Sequence, residues 1–120
     1  LEVGIPYLHL NQALSTLSGG ELQRMKIASQ LGMHGKIYIL DEPTDGLHVQ
    51  DVRHLIRLFN KMTDQGNTVY VVEHNMDVIR AADYIIELGP GAGEQGGQVI
   101  FTGTPAMLKQ SKTSVTASYL

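Results

Sequence analysis

Two five-residue apolar runs, Lys36-Ile37-Tyr38-Ile39-Leu40 and Thr68-Val69-Tyr70-Val71-Val72, constrain this chain more than anything else in it. Neither alternates with polar residues, as a strand half-open to water would, so both read as strands buried on both faces. Between them, residues 49–65 carry Val52, Leu55, Ile56, Phe59 and Met62 at three- and four-residue steps, which is one apolar stripe on a helix. Gly66 and Asn67, residues that tolerate a left-handed conformation, end it. Strand, helix and strand at this spacing make a right-handed crossover and imply parallel pairing. A third run, residues 83–88, follows a shorter helical pattern over 75–82 that reads as a second crossover. The fold class expected is α/β, a parallel-core sheet with crossover helices.

With 120 residues the chain has room for one modest core, so a single domain over 1–120 is expected. A formal charge of −3 offers no basic field for a nucleic-acid backbone, which argues against DNA binding by this chain alone. With no cysteine it can hold neither disulfides nor thiolate-zinc sites. No apolar run approaches the ~20 residues of a membrane span and no secretory leader opens the chain, so it reads as cytoplasmic with no membrane partner. Its start at Leu1, in a polar connection, suggests a piece of a longer protein.

Upstream, residues 21–31 place Leu22, Met25, Ala28 and Leu31 three apart, a helix ending near Gly32 and Gly35. Downstream, residues 98–102 read as a strand, and Thr104-Pro105 caps a helix over 106–110. The polar stretch 111–120 reads as loosely held, and there is no internal repeat.

Three motifs carry chemistry. Leu17-Ser18-Gly19-Gly20-Glu21-Leu22-Gln23-Arg24 opens the upstream helix. Ser18 and Glu21 have capping-box spacing, which leaves the paired glycines unexplained. Each costs roughly 1 kcal/mol against alanine in a helix, and their use is to let backbone amides approach an anion closely. Next, Ile37-Tyr38-Ile39-Leu40 deliver Asp41 and Glu42 to the C-terminal end of a strand, where ligands sit in open α/β sheets. Successive strand side chains face opposite ways, so one carboxylate suits hydrated Mg²⁺ and the other an attacking water; the bland alternative is a solvated strand end. Last, His74 ends the second strand at the same edge, where it could reach a terminal phosphate.

Other features weigh less. Gly91-Ala92-Gly93-Glu94-Gln95-Gly96 has the spacing of a dinucleotide loop but precedes a strand where that motif needs a helix. His48 and His54 lack the spacing of a helical zinc pair. Arg53, Arg57 and Lys61 read as a solvated helix face.

In order, residues 17–23, 37–44 and His74 resemble the signature motif, Walker B motif and switch histidine of an ABC-type ATPase. Asp45-Gly46-Leu47-His48 replaces the Ser-Ala-Leu-Asp common in transporters. With residues 72–79, 82–90, 102–105 and 118–120, it resembles the UvrA group of excinuclease proteins, in the C-terminal part of the second nucleotide-binding domain. The resemblance implies an ATPase using ATP and Mg²⁺ in nucleotide excision repair, dimeric, binding DNA and other repair subunits. By carry-over, Ser18, Gly19, Gly20 and Gln23 would contact ATP held by the opposite nucleotide-binding domain. Asp41 would serve Mg²⁺ through water, Glu42 would be the general base, His74 would sense the γ-phosphate, and Asp45 to His48 would cross between domains.

The chain departs from that pattern twice. Asp45 stands where the family usually has threonine, and a carboxylate facing triphosphate adds repulsion. No G-x-x-x-x-G-K-[ST] occurs, since Gly35-Lys36 is followed by Ile37. A chain without the phosphate cradle is expected to be inactive alone and to self-associate through apolar surface its missing half would cover. The alternatives are a transporter's ATPase subunit, another non-repair ABC protein, or a non-enzymatic interaction module.

Overall fold

The computed structural model describes residues 27, 29, 32–91 and 93–120. Helix is seen at Ile27 and Ser29; the rest of the expected upstream helix lies outside the described residues, as do Ser18, Gly19, Gly20 and Gln23. The chain divides into two compact units, one ending at His74 and one starting at Asn75.

The first unit holds β1 (Ile37–Asp41), α1 (Val49–Asp64) and β2 (Thr68–Val72). β1 and β2 pair in parallel, Ile37 opposite Thr68 through Asp41 opposite Val72. The expected crossover is therefore present, because α1 carries the chain back along the strands as parallel pairing requires. Its apolar stripe buries Val52, Leu55, Leu58, Phe59 and Met62. Ile27, Leu40, Leu55, Leu58, Phe59 and Met62 form one core, flanked by Tyr38, Leu47, Val69 and Val71. Leu55 and Met62 are fully buried, each stabilising the fold by roughly 1.5–3 kcal/mol.

Burial on both strand faces was the expectation, and the structure corrects it. Ile37, Ile39, Tyr70 and Val72 are exposed, Ile39 at 74%. Side chains alternate across a strand, and among the described residues α1 and Ile27 cover only the Tyr38, Leu40, Val69 and Val71 face. The other face is apolar in sequence and bare here.

Gly66 ends α1 at φ 84°, as expected, but Asn67 has a different task. It is 6% exposed, and its Oδ1 accepts from the Lys36 N–H at 3.0 Å. Its Nδ2 donates to the Met33 and Met62 carbonyls, each at 2.9 Å. One buried amide thus ties the entry of β1, the end of α1 and the start of β2.

The second unit holds α2 (Met76–Ala81), β3 (Ile85–Gly89), β4 (Gln98–Gly103), α3 (Pro105–Lys109) and a 3₁₀ turn at Thr116–Tyr119. Asn75 caps α2 by accepting from the Asp77 and Val78 amides, and Thr104 caps α3 by accepting from Met107. The expectation of a third strand in the parallel sheet is corrected, since β3 pairs antiparallel with β4. Six helical residues rise about 9 Å, roughly half the length of a five-residue strand, so α2 is too short to serve as the crossover. The Gly-rich loop leads through a 3₁₀ turn at Gly93–Gln95 into β4, so a strand follows it and not a helix.

Residues 111–120 are not loosely held. The Glu87 carboxylate accepts from the Ser114 hydroxyl, the Val115 and Thr116 amides and the Thr116 hydroxyl. The Thr113 hydroxyl donates to the Ile100 carbonyl, and the Arg80 guanidinium to the Tyr119 carbonyl. A polar segment carries no hydrophobic signature, and its anchor is a carboxylate nearly thirty residues away.

These contacts can be tested in solution. Asn67→Ala strands buried donors and acceptors, so it should lower stability by about 2 kcal/mol in urea unfolding, whereas Asn60→Ala on the exposed helix face should change little. Partial burial pushes the Glu87 carboxyl up, but hydrogen bonds from Ser114, Thr116 and Val115 outweigh it and hold the pKa below its ordinary value. The resulting stability is present above the unfolded carboxyl's pKa, about 4.3, and is lost as pH falls from there through the lower folded value. Unfolding midpoints measured across that acid window should fall less steeply in Glu87→Gln than in the unaltered chain.

Candidate functional site

Parallel pairing ends β1 and β2 at one edge, so Asp41 and Val72 are the last partners of the ladder. The pairing extends one step further, as the Glu42 N–H donates to the Val72 carbonyl at 2.8 Å. Glu42 then adopts φ 45°, among the described residues the one non-glycine with positive φ. A side chain there costs about 1–3 kcal/mol and persists only where neighbours over-determine it. Pro43 and Thr44 are buried behind it, and the Asp45 N–H closes a turn onto the Glu42 carbonyl at 3.1 Å. Proline at the second position of that turn presets its dihedral angle.

This geometry changes how the two carboxylates are separated. Asp41 follows the strand alternation and lies on the open face with Ile37 and Ile39. Glu42 is past the strand, so its direction comes from the positive φ and not from alternation.

His74 and Glu42 are brought together, with the imidazole Nδ1 3.4 Å from the Glu42 carboxylate oxygen. Both side chains face water, at 84% and 51% exposure. An exposed pair at this distance stabilises a fold by less than about 1 kcal/mol. Asp45 is exposed at the end of the turn. Of the residues singled out in the sequence, Asp41, Glu42, Asp45 and His74 therefore lie at one edge of the paired strands, with Glu42 and His74 in contact. Ser18, Gly19, Gly20 and Gln23 lie outside the described residues.

Sequence reasoning passed over Glu73. Its Oε1 accepts from the Thr44 N–H at 2.9 Å and from the Thr44 hydroxyl at 2.6 Å, and its Oε2 accepts from the His74 N–H at 3.2 Å. Nothing in its spacing marks it out, because its partner is 29 residues earlier and is recognisable only once the strands are paired.

Among the described residues, no group of three or more His, Asp or Glu is arranged to hold a metal, and no helix is long and apolar enough to cross a membrane. A single exposed strand-end carboxylate such as Asp41 suits Mg²⁺, which keeps most of its waters and binds through one or two carboxylates plus substrate phosphates. An exposed carboxylate beside an imidazole can accept a proton from water and orient a second polar group.

Known proteins resemble the chain on two levels. Residues 2–45 match the family described as ABC transporter. Along its whole length the chain is 52% identical to UvrABC system protein A of Staphylococcus aureus (strain COL), and it spans 13% of that protein. It is 53% identical over 99% of its length to the Streptococcus pyogenes serotype M1 protein of the same name, again spanning 13%. The solved structure of UvrA2 from Deinococcus radiodurans matches with a TM-score of 0.92 at 52% identity, covering 99% of this chain and 15% of that one. Identity of this degree over the whole length of the chain sets aside the transporter alternative: the chain belongs to the UvrA family and spans part of its ABC-type nucleotide-binding domain.

Proposed function

We propose that the chain supplies the hydrolytic edge of an ATP site in a UvrA-type excision-repair protein, as the C-terminal part of its second nucleotide-binding domain. The observation that carries this reading is the approach of Glu42 and His74 beside Asp41 at the C-terminal edge of parallel strands.

Glu42 acts as general base. Its carboxylate takes a proton from a water that attacks the γ-phosphorus in line; the P–O bond to the β-phosphate oxygen breaks, leaving ADP and phosphate. His74 hydrogen-bonds the γ-phosphate and holds the Glu42 side chain toward it. Asp41 would hold Mg²⁺ through water, and that ion would neutralise charge on the phosphates. Ser18, Gly19, Gly20 and Gln23 contribute contacts to the γ-phosphate of ATP held by the opposite domain. The P-loop half lies elsewhere in the longer protein, so this chain alone does not turn over ATP. The remaining partners follow from the same reading: a cytoplasmic, dimeric parent, damaged DNA, and the other excision-repair subunits.

The test uses a full-length UvrA protein carrying this segment. Glu42→Gln should lower ATP turnover by about 10²-fold or more while ATP still binds, the loss expected of a general base. Turnover within a few-fold of the unaltered protein would remove Glu42 from that role. Asp45→Thr should tighten ATP binding, measured by calorimetry, because it removes a carboxylate that faces triphosphate; unchanged affinity would place Asp45 away from the nucleotide.

A further inference from the structure

The Glu42 and His74 side chains are largely in water, so packing does not aim them. Their relative position is set by the two backbones that carry them, and one side chain ties those backbones together. Glu73 spends one carboxylate oxygen on the amide and hydroxyl of Thr44, two residues past Glu42, and the other on the amide of His74. Thr44 is only 8% exposed, so its two donors have little access to water as an alternative.

We infer that Glu73 is a positioning residue for hydrolysis: its carboxylate clamps the turn bearing Glu42 to the strand end bearing His74, holding both side chains toward one phosphate. The inference rests on the reading of Glu42 as general base. It accounts for two observations together. Glu42 keeps a φ of 45°, which needs a turn fixed on both sides; the Val72 carbonyl holds the near side and Glu73, through Thr44, the far side. The three hydrogen bonds also explain why an acid stands at this position. All three partners are donors, and only a carboxylate offers acceptors on both of its ends; an amide must turn an NH₂ toward either Thr44 or His74. Glutamine at position 73 therefore keeps one loop and releases the other.

Loosening a base by a fraction of an ångström affects the chemical step more than substrate binding. In the full-length protein carrying this segment, steady-state ATPase assays should show kcat lowered about tenfold in Glu73→Gln and in Thr44→Val, with KM for ATP within about twofold. Thr44→Ser, which keeps the hydroxyl, should restore most of what Thr44→Val loses. The double variant Glu42→Gln/Glu73→Gln should be no slower than Glu42→Gln alone, since a residue that acts through Glu42 has nothing left to position. Thermal melts of each variant separate loss of fold from loss of geometry, and the comparison of Thr44→Ser with Thr44→Val stands even where Glu73→Gln folds poorly. An unchanged kcat in Glu73→Gln, a change confined to KM, or multiplicative losses in the double variant would overturn the clamp while leaving the role of Glu42 intact. A Glu42→Gln protein that keeps full turnover overturns the underlying reading, and the clamp with it.

Discussion

Parallel pairing of β1 with β2 is the constraint on which the candidate site depends. Antiparallel neighbours finish at opposite edges, whereas parallel neighbours finish together, so Asp41, Glu42 and His74 meet without any long loop to bring them there. The requirement this imposes is a return path, and α1 meets it by covering one face of the pair with five buried side chains. Chemistry at the edge and packing beneath it are thus parts of one arrangement.

Stabilising and chemical roles are separated along the chain. The buried polar residues among those described are Asn67 at the entry of the strands and Thr44 just behind the exit, both satisfied by named partners. Glu42 and His74, the groups proposed to act on substrate, are exposed and contribute little to the fold.

Much of this was legible in the sequence, and the failures share a cause. The spacing of Val52, Leu55, Phe59 and Met62 identified α1, Gly66 its end, and Thr104-Pro105 the start of α3, because each of these signals lies within one turn of the residue it governs. Asp41, Glu42 and His74 were legible as neighbours because parallel pairing brings the ends of two strands to one edge. Asn67 has the local character of a helix terminator and is instead a hub for Lys36, Met33 and Met62, a role that depends on a partner strand. Glu73 and Glu87 escape a sequence reading for the same reason: each is a carboxylate with donors 27 to 29 residues away, and no local period reports them. The antiparallel partnership of β3 was obscured because a run of apolar residues says that a strand exists without saying which neighbour it takes.

The anchoring of residues 111–120 on Glu87 has a further consequence for how that region tolerates change. Its contacts radiate from one side chain to three consecutive residues, Ser114, Val115 and Thr116, and two of those bonds come from backbone amides that no substitution short of proline removes. Drift at the spokes is therefore buffered, since losing one hydroxyl leaves the remaining bonds in place. Drift at the hub is not, because a single replacement releases all of them at once. A segment that looks featureless and freely variable along its own length owes the order of its middle to the identity of one residue in a strand it follows at a distance.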